Sequence, residues 1–471
     1  MVVLISAGLL LVILLVIISP TAEGADFGDF YDKLGDGQDR VESSNRLGGF
    51  LSVLPDRQTC AVLLDDENAK HREWTPWSFP PVCIPPEDES GDLSTPGSSA
   101  GKLCTYTVFT LRGGPGMSLV TTPEVASSIA ANLQDPDIAM LERERGIPFA
   151  PSFQPLQLPY KLRSIPGKGT GVVATAPISK GQVLMVETPI LLELADLGPW
   201  NIRGIFELLQ HAAVRLPKTD RGRMLNLTRA GKAYIVQDVM KTNSFQVNVG
   251  GVHHSGLYPD IARINHACSP NCFTRYSPTT LAMEVVAYTD IQPGEELSVS
   301  YLPLNLHYRE RQETLLQNWG FTCSCSLCNN PAAAAGAEGS GDRDAVWAAR
   351  KISDRRRARI GDILENLGKT APGKLTVQAV QNAVAEIEDV AERERLHSQV
   401  GDLYSMIADV CVEKVLEKSE GGTAGLIELA RELAKKSVRK KRYYAGVDSE
   451  RTAIALEKLE RLERMVVAVR S

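Results

Sequence analysis

Arg263-Ile-Asn-His-Ala-Cys-Ser-Pro-Asn271 is the stretch that decides how this chain folds, because two later stretches complete it in order. Glu295-Glu-Leu-Ser-Val-Ser-Tyr301 follows, and Cys323-Ser-Cys-Ser-Leu-Cys328 closes the series. Each alone is a weak signal; their order and spacing together are specific. Cys268 with Cys323, Cys325 and Cys328 makes four thiolates, the number a closed tetrahedral structural zinc site requires. In an oxidising compartment the same four would instead form a pair of disulfides. Glu295 and Glu296 look at first like an acid/base pair, but adjacent strand residues point to opposite faces, so that reading is rejected.

N-H-x-C-x-P-N, then G-E-E-L-x-x-x-Y, then C-x-C-x-x-C resembles a SET domain with its post-SET zinc tail. Members of that family are protein-lysine methyltransferases that use S-adenosylmethionine. The resemblance implies a mixed, β-rich fold of small twisted sheets, in which the first two stretches thread into a pseudoknot that forms the active site. It implies that Asn265 and His266 contact the cofactor and that Pro270 and Asn271 lock the loop. Tyr301 is then the catalytic residue and also touches the cofactor. Methyl transfer from a sulfonium to an amine is an in-line displacement, which needs alignment more than a strong base. Tyr276 and Tyr288 read as sheet residues. Phe321 takes the place of the aromatic that packs on the adenine, and Trp319 that of a residue lining the lysine channel. Zinc would staple the tail over the cofactor pocket, while Cys272 and Cys411 read as buried free thiols.

Upstream, Lys168-Gly-Thr-Gly171 resembles the family's G-x-G element, where glycines let backbone amides approach the methionine portion of the cofactor. Lys168, Gly169, Thr170 and Gly171 are therefore candidate cofactor contacts. A dinucleotide fingerprint is excluded, since no correctly spaced third glycine follows. Residues 190–250 read as a helical insert, with helices at Ile205–Gln210 and Ala230–Val239. The MYND-type relatives carry a cysteine-rich finger near this insert; the insert has no cysteine, so the finger is absent. Lys241-Thr-Asn-Ser-Phe-Gln-Val-Asn248 resembles their N-S-F element, placing Asn243 by the cofactor and Phe245 in the lysine channel. Asn226-Leu-Thr is a glycosylation sequon, meaningful in a secretory lumen.

The 471 residues are 43% hydrophobic, enough for two or three domains with real cores. A net charge of −6 argues against a protein that coats nucleic acid, which needs an excess of Lys and Arg. The expected partner is a protein substrate carrying the target lysine. Val2 to Ile18 is an almost unbroken apolar run at the lower edge of membrane-spanning length. It reads as a cleaved secretory signal with a small-x-small site at Ala22-x-Gly24, or as an uncleaved membrane anchor. Secretory-pathway placement follows, or nucleus and cytoplasm if the run is not a working signal.

The expected organisation is residues 1–24 as signal or anchor, 25–155 as a small N-terminal accessory module, and 156–328 as the SET domain with its zinc tail. A linker at 329–344 then leads to a helical C-terminal domain at 345–471. In the N-terminal module, Cys104–Arg112 and Met117–Thr122 read as a hairpin around Gly113–Gly116, and Pro123 opens a helix. Cys60, Cys83 and Cys104 permit three single pairings among which sequence does not choose. Beyond 345, Leu396, Val400, Leu403, Ile407 and Val410 recur at helical steps, similar to the helical array that follows SET in the MYND-type relatives. The basic runs Arg355–Arg359 and Lys435–Arg442 read as solvated helix faces. The rival reading, from another class, is a SET-derived interaction protein of the secretory pathway without catalysis.

Overall fold

A computed structural model of the protein describes residues 75–86, 101–135, 138, 158–198, 200–231, 234–328, 341–417 and 424–470. The apolar run at 2–18, Cys60 and most of the linker lie outside these residues. No helix among the described residues is long and apolar enough to cross a membrane. The described residues fall into two compact units: one ends its first pass at Asn265 and resumes over Thr274–Leu297, and the other takes His266–Phe273 and everything from Ser298 onward.

The first unit opens with β1 (Val82–Ile84), β2 (Leu103–Val108), β3 (Met117–Thr121) and helix α1 (Pro123–Gln134). Next come β4 (Tyr160–Ile165), β5 (Gly169–Ala174), β6 (Val183–Glu187) and β7 (Leu191–Leu194). Helices α2 (Ile202–Arg215), α3 (Lys218–Leu225) and α4 (Ile235–Asn243) then lead into β8 (Phe245–Val249) and β9 (Val252–Leu257). One six-stranded sheet has the order β1-β2-β3-β7-β9-β8. β3 pairs β7 in parallel, so the sheet runs across the expected boundary at 155/156. Burial on both faces explains why these strands join: every residue of β2 and β3 is buried. Two of their polar side chains are met by helix α2, with Thr105 Oγ1 donating to Leu208 O at 3.2 Å and Ser118 Oγ to Ala212 O at 2.9 Å. α2 offers Ile205, Phe206, Leu208, Leu209, Ala212 and Ala213 as its buried stripe, and Asn201 caps it by accepting from the Arg203 and Gly204 amides.

Two local expectations change, and one choice left open by the sequence is made. The strand expected to reach Arg112 ends at Val108, because the Leu111 amide turns to Pro115 O and Arg112 and Gly113 take positive φ. The helix expected at 230–239 starts at Ile235 and runs to Asn243. The Asp238 carboxylate accepts from the Ala230 and Gly231 amides and holds those residues in a turn. Of the cysteines, Cys83 and Cys104 form a disulfide; they stand directly opposite in the β1/β2 register.

Glu193 of β7 stands in register with Val120 and Ser255, is 6% exposed, and its Oε1 has no hydrogen-bond partner among the described residues. Burial pushes its carboxyl from 4.5 up to about 8. The folded state therefore keeps a proton that the unfolded chain has lost between those values. Stability from this group is full below the unfolded value and falls as pH rises through the folded one, by about 1.4 kcal/mol per pH unit. Glu193→Gln is expected to flatten the pH dependence of urea unfolding across that window; an unchanged slope would contradict the assignment.

β4 and β5 form a hairpin, and β10 (Cys272–Tyr276) and β11 (Met283–Ala287) join β6 in a sheet of order β10-β11-β6; the last three residues of β10 belong to this unit. In the second unit, α5 (Tyr308–Trp319) precedes α6 (Gly341–Lys369), α7 (Val377–Arg393), α8 (Val400–Leu416), α9 (Ala424–Tyr444) and α10 (Glu450–Arg470). Leu396, Val400, Leu403, Ile407 and Val410 all enter its apolar core. The basic runs are not simply solvated. Arg357 and Lys441 are buried, and Arg356, Arg359, Lys435, Lys436 and Lys441 pair with Glu394, Glu386, Glu432, Glu388 and Asp402.

Candidate functional site

In the first unit the β4–β5 turn carries Lys168, Gly169, Thr170 and Gly171. Gly169 has φ +75 with open space where a side chain would stand. Gly171 is enclosed: a Cβ there would lie 2.7 Å from Asn265 Nδ2, 2.8 Å from Ile165 Cγ1 and 3.0 Å from Glu296 Oε1. Glu296 ties the group together, accepting from Asn265 Nδ2 at 2.8 Å and pairing with Lys168 Nζ at 2.7 Å. Glu295 turns away, its carboxylate accepting the Gln292 amide within its own turn. The role of Glu296 was not legible in the sequence, since Lys168 stands 128 residues away. Asn243, at the end of α4, spends its Nδ2 on the carbonyls of Thr228 and Val239, both at 2.8 Å. Phe245 is half-buried and meets Tyr258 edge-on at 6.0 Å.

In the second unit the ring of His266 is buried, and its Nδ1 accepts the Tyr301 backbone N–H at 3.0 Å. Nδ1 is therefore unprotonated, which leaves the proton of the neutral ring on Nε2, 3.2 Å from Cys268 Sγ. The Tyr301 ring lies 5.3 Å from those of His266 and Trp319, and Phe321 stands 6.2 Å from His266. His266, Tyr301, Trp319 and Phe321 thus form one aromatic cluster. Asn271 Oδ1 accepts from the Ser298 amide at 2.8 Å and fixes the loop that carries Cys268.

The sulfurs of Cys268, Cys323, Cys325 and Cys328 all lie within 4.8 Å of one another. Four convergent soft donors, two buried and two half-buried, fit a closed tetrahedral zinc site. Hydrogen bonds from Cys268 push Cys323 and Cys325 toward the thiolate, Cys325 to about 5. α5 delivers the loop: Gly320 ends it in the left-handed region at φ 73, and its amide donates to Leu316 O. Gln312 then clamps the Cys323 backbone at both ends, accepting its N–H at 2.8 Å and donating to its carbonyl at 2.9 Å. Arg350 of α6 donates from Nε to Cys328 O at 2.7 Å while lying 4.2 Å over the Tyr308 ring.

Residues 169–302 match the SET domain family model. This segment is a SET domain. The chain is 29% identical over 174 residues to histone-lysine N-methyltransferase set5 of Schizosaccharomyces pombe, covering 36% of this chain and 50% of the relative. N-lysine methyltransferase SMYD2 of Homo sapiens is 36% identical over 88 residues, 18% of this chain and 20% of the relative. Histone-lysine N-methyltransferase SMYD3 of Homo sapiens is 38% identical over 73 residues, 16% and 17% respectively. The chain thus spans half the length of the first relative and about a fifth of the others. The N-H-x-C and G-E-E-L-x-x-x-Y stretches both fall within the SET domain, and the three tail cysteines lie just after it.

Proposed function

We propose that this SET domain transfers a methyl group from S-adenosylmethionine to the side-chain amine of a protein lysine. The observation that carries the proposal is the seating of Tyr301: its backbone is fixed by His266 and its ring lies between those of His266 and Trp319. Bound S-adenosylmethionine supplies a methyl group activated by its sulfonium. Gly169, Thr170 and Gly171 would offer backbone amides to its methionine portion, and Lys168, Asn243, Asn265 and His266 are the further residues assigned to it. Phe321 would supply the aromatic face for the adenine. The Tyr301 hydroxyl aligns the methyl with the incoming nitrogen. A free lysine holds its proton up to about pH 10.4, and the aromatic side chains assigned to the lysine, Phe245 and Trp319, would disfavour the ammonium form and ease loss of that proton. Cys268, Cys323, Cys325 and Cys328 hold a structural zinc ion.

Incubation with methyl-tritiated S-adenosylmethionine and a panel of histones and lysate proteins is expected to label lysine side chains. Absent labelling, with no cofactor binding by calorimetry, would contradict the proposal. That outcome favours the second reading, a secretory-pathway interaction protein. The Cys83–Cys104 disulfide and the exposed sequon at Asn226 support that placement, whether the chain is secreted or anchored through residues 2–18. An endoglycosidase-sensitive mass at Asn226 would establish it.

A further inference from the structure

Helices α5 and α6 carry Arg311, Arg350, Arg356 and Arg357, and the carboxylates of Asp354 on α6 and Glu394 after α7 stand with them. Arg311 is 2% exposed; its Nη1 donates to Leu306 O at 2.5 Å. It also interacts with the Cys328 sulfur, and its buried Nε has no hydrogen-bond partner among the described residues. Arg357 is 5% exposed and donates from Nε to Glu394 Oε2 at 3.2 Å. Both of its Nη atoms are buried with no hydrogen-bond partner among the described residues. Arg356 shares Glu394, and Arg350 grips the Cys328 carbonyl. The second carboxylate, Asp354, accepts the Tyr308 amide.

Arg311 and Arg357 interact electrostatically with each other and with Cys268, and buried cations with unmet N–H groups are costly unless an anion compensates them. Four thiolates around one divalent ion leave two negative charges in excess. We infer that Arg311, Arg350 and Arg357 are the counter-charge of the zinc centre, so that α6 of the helical region is a working part of the metal site. The inference rests on the reading of the four cysteines as a zinc site. It follows that metal loading and the packing of α6 are coupled: when the ion leaves, the four sulfurs take up protons and the guanidiniums lose their counter-charge, and removing a guanidinium leaves the thiolate centre too negative.

The test is zinc release from the full chain to a chelating dye under native conditions, after zinc content has been measured. Arg311→Met is expected to speed release ~10–100-fold, the range for losing an outer partner of a metal ligand. Arg311→Lys, which keeps the charge, is expected to recover most of that loss. In the cobalt-substituted protein, the thiolate-to-metal band is expected to shift in Arg311→Met and not in Arg311→Lys. Release at the wild-type rate in both variants, or equally fast release in both, would overturn the inference. Should Arg311→Met fail to accumulate, hydrogen exchange of the wild type decides. Zinc removal is expected to speed exchange in α6 around Arg357, and a change confined to 320–328 would overturn the coupling. Wild-type protein without stoichiometric zinc would remove the zinc reading as well, whereas normal zinc content with unmoved variants removes this inference alone.

Discussion

Cys268→Ser is expected to empty the metal site and to lower methyl transfer at least ~100-fold, because a structural zinc ion contributes about 10–16 kcal/mol of apparent binding energy to the fold it closes. Cys268 sits on the N-H-x-C loop and the other three cysteines on the tail after α5, so an ion held by all four would link those two stretches. The same sulfur faces Nε2 of His266, whose other nitrogen holds the Tyr301 amide. Loss of Cys268 thus loosens the tail that carries Trp319 and Phe321, and also frees the ring that seats Tyr301. Zinc content, near-ultraviolet circular dichroism and the transfer rate should fall together. A variant that keeps its zinc, or loses it while transferring methyl normally, would show that the four cysteines do not organise the site.

The second large effect is expected at Gly171. An alanine methyl would meet Asn265 Nδ2, Ile165 Cγ1 and Glu296 Oε1, at 3.0 Å or closer. Overpacking of this kind costs about 1–3 kcal/mol, and relief requires Glu296 to move off Asn265 and Lys168. Gly169→Ala is the matched control, since its methyl meets nothing and only the positive φ is strained, at about 1 kcal/mol. Calorimetry should find S-adenosylmethionine binding severely weakened in Gly171→Ala and less affected in Gly169→Ala. The reverse order would place the cofactor away from this turn.

The motifs at 263–271, 295–301 and 323–328 were legible because each needs fixed residue types at fixed spacing, and spacing is what a sequence records directly. What stayed hidden were partnerships across long separations. Hydrophobic alternation marked 104–112 and 117–122 as strands but carried no sign that β3 would pair β7 in parallel. Three cysteines offered three pairings until the β1/β2 register set Cys83 opposite Cys104. The run Arg355–Arg359 read as a solvated face since charge is usually solvated, yet Arg357 is buried and points inward to Glu394. Glu296 was read only through its neighbour Glu295, and its bonds to Lys168 and Asn265 exist only once the turn and the strand have come together.

The most direct test of the account is single-turnover methyl transfer by Tyr301→Phe beside the wild type, with cofactor binding measured in both. The substitution keeps the ring against His266 and Trp319 and the backbone bond to His266, and removes only the hydroxyl. Transfer is expected to fall ~100–1,000-fold, as for loss of one positioned polar group at a reacting centre, with S-adenosylmethionine binding nearly unchanged. Transfer at the wild-type rate would contradict the assignment of Tyr301 as the catalytic residue.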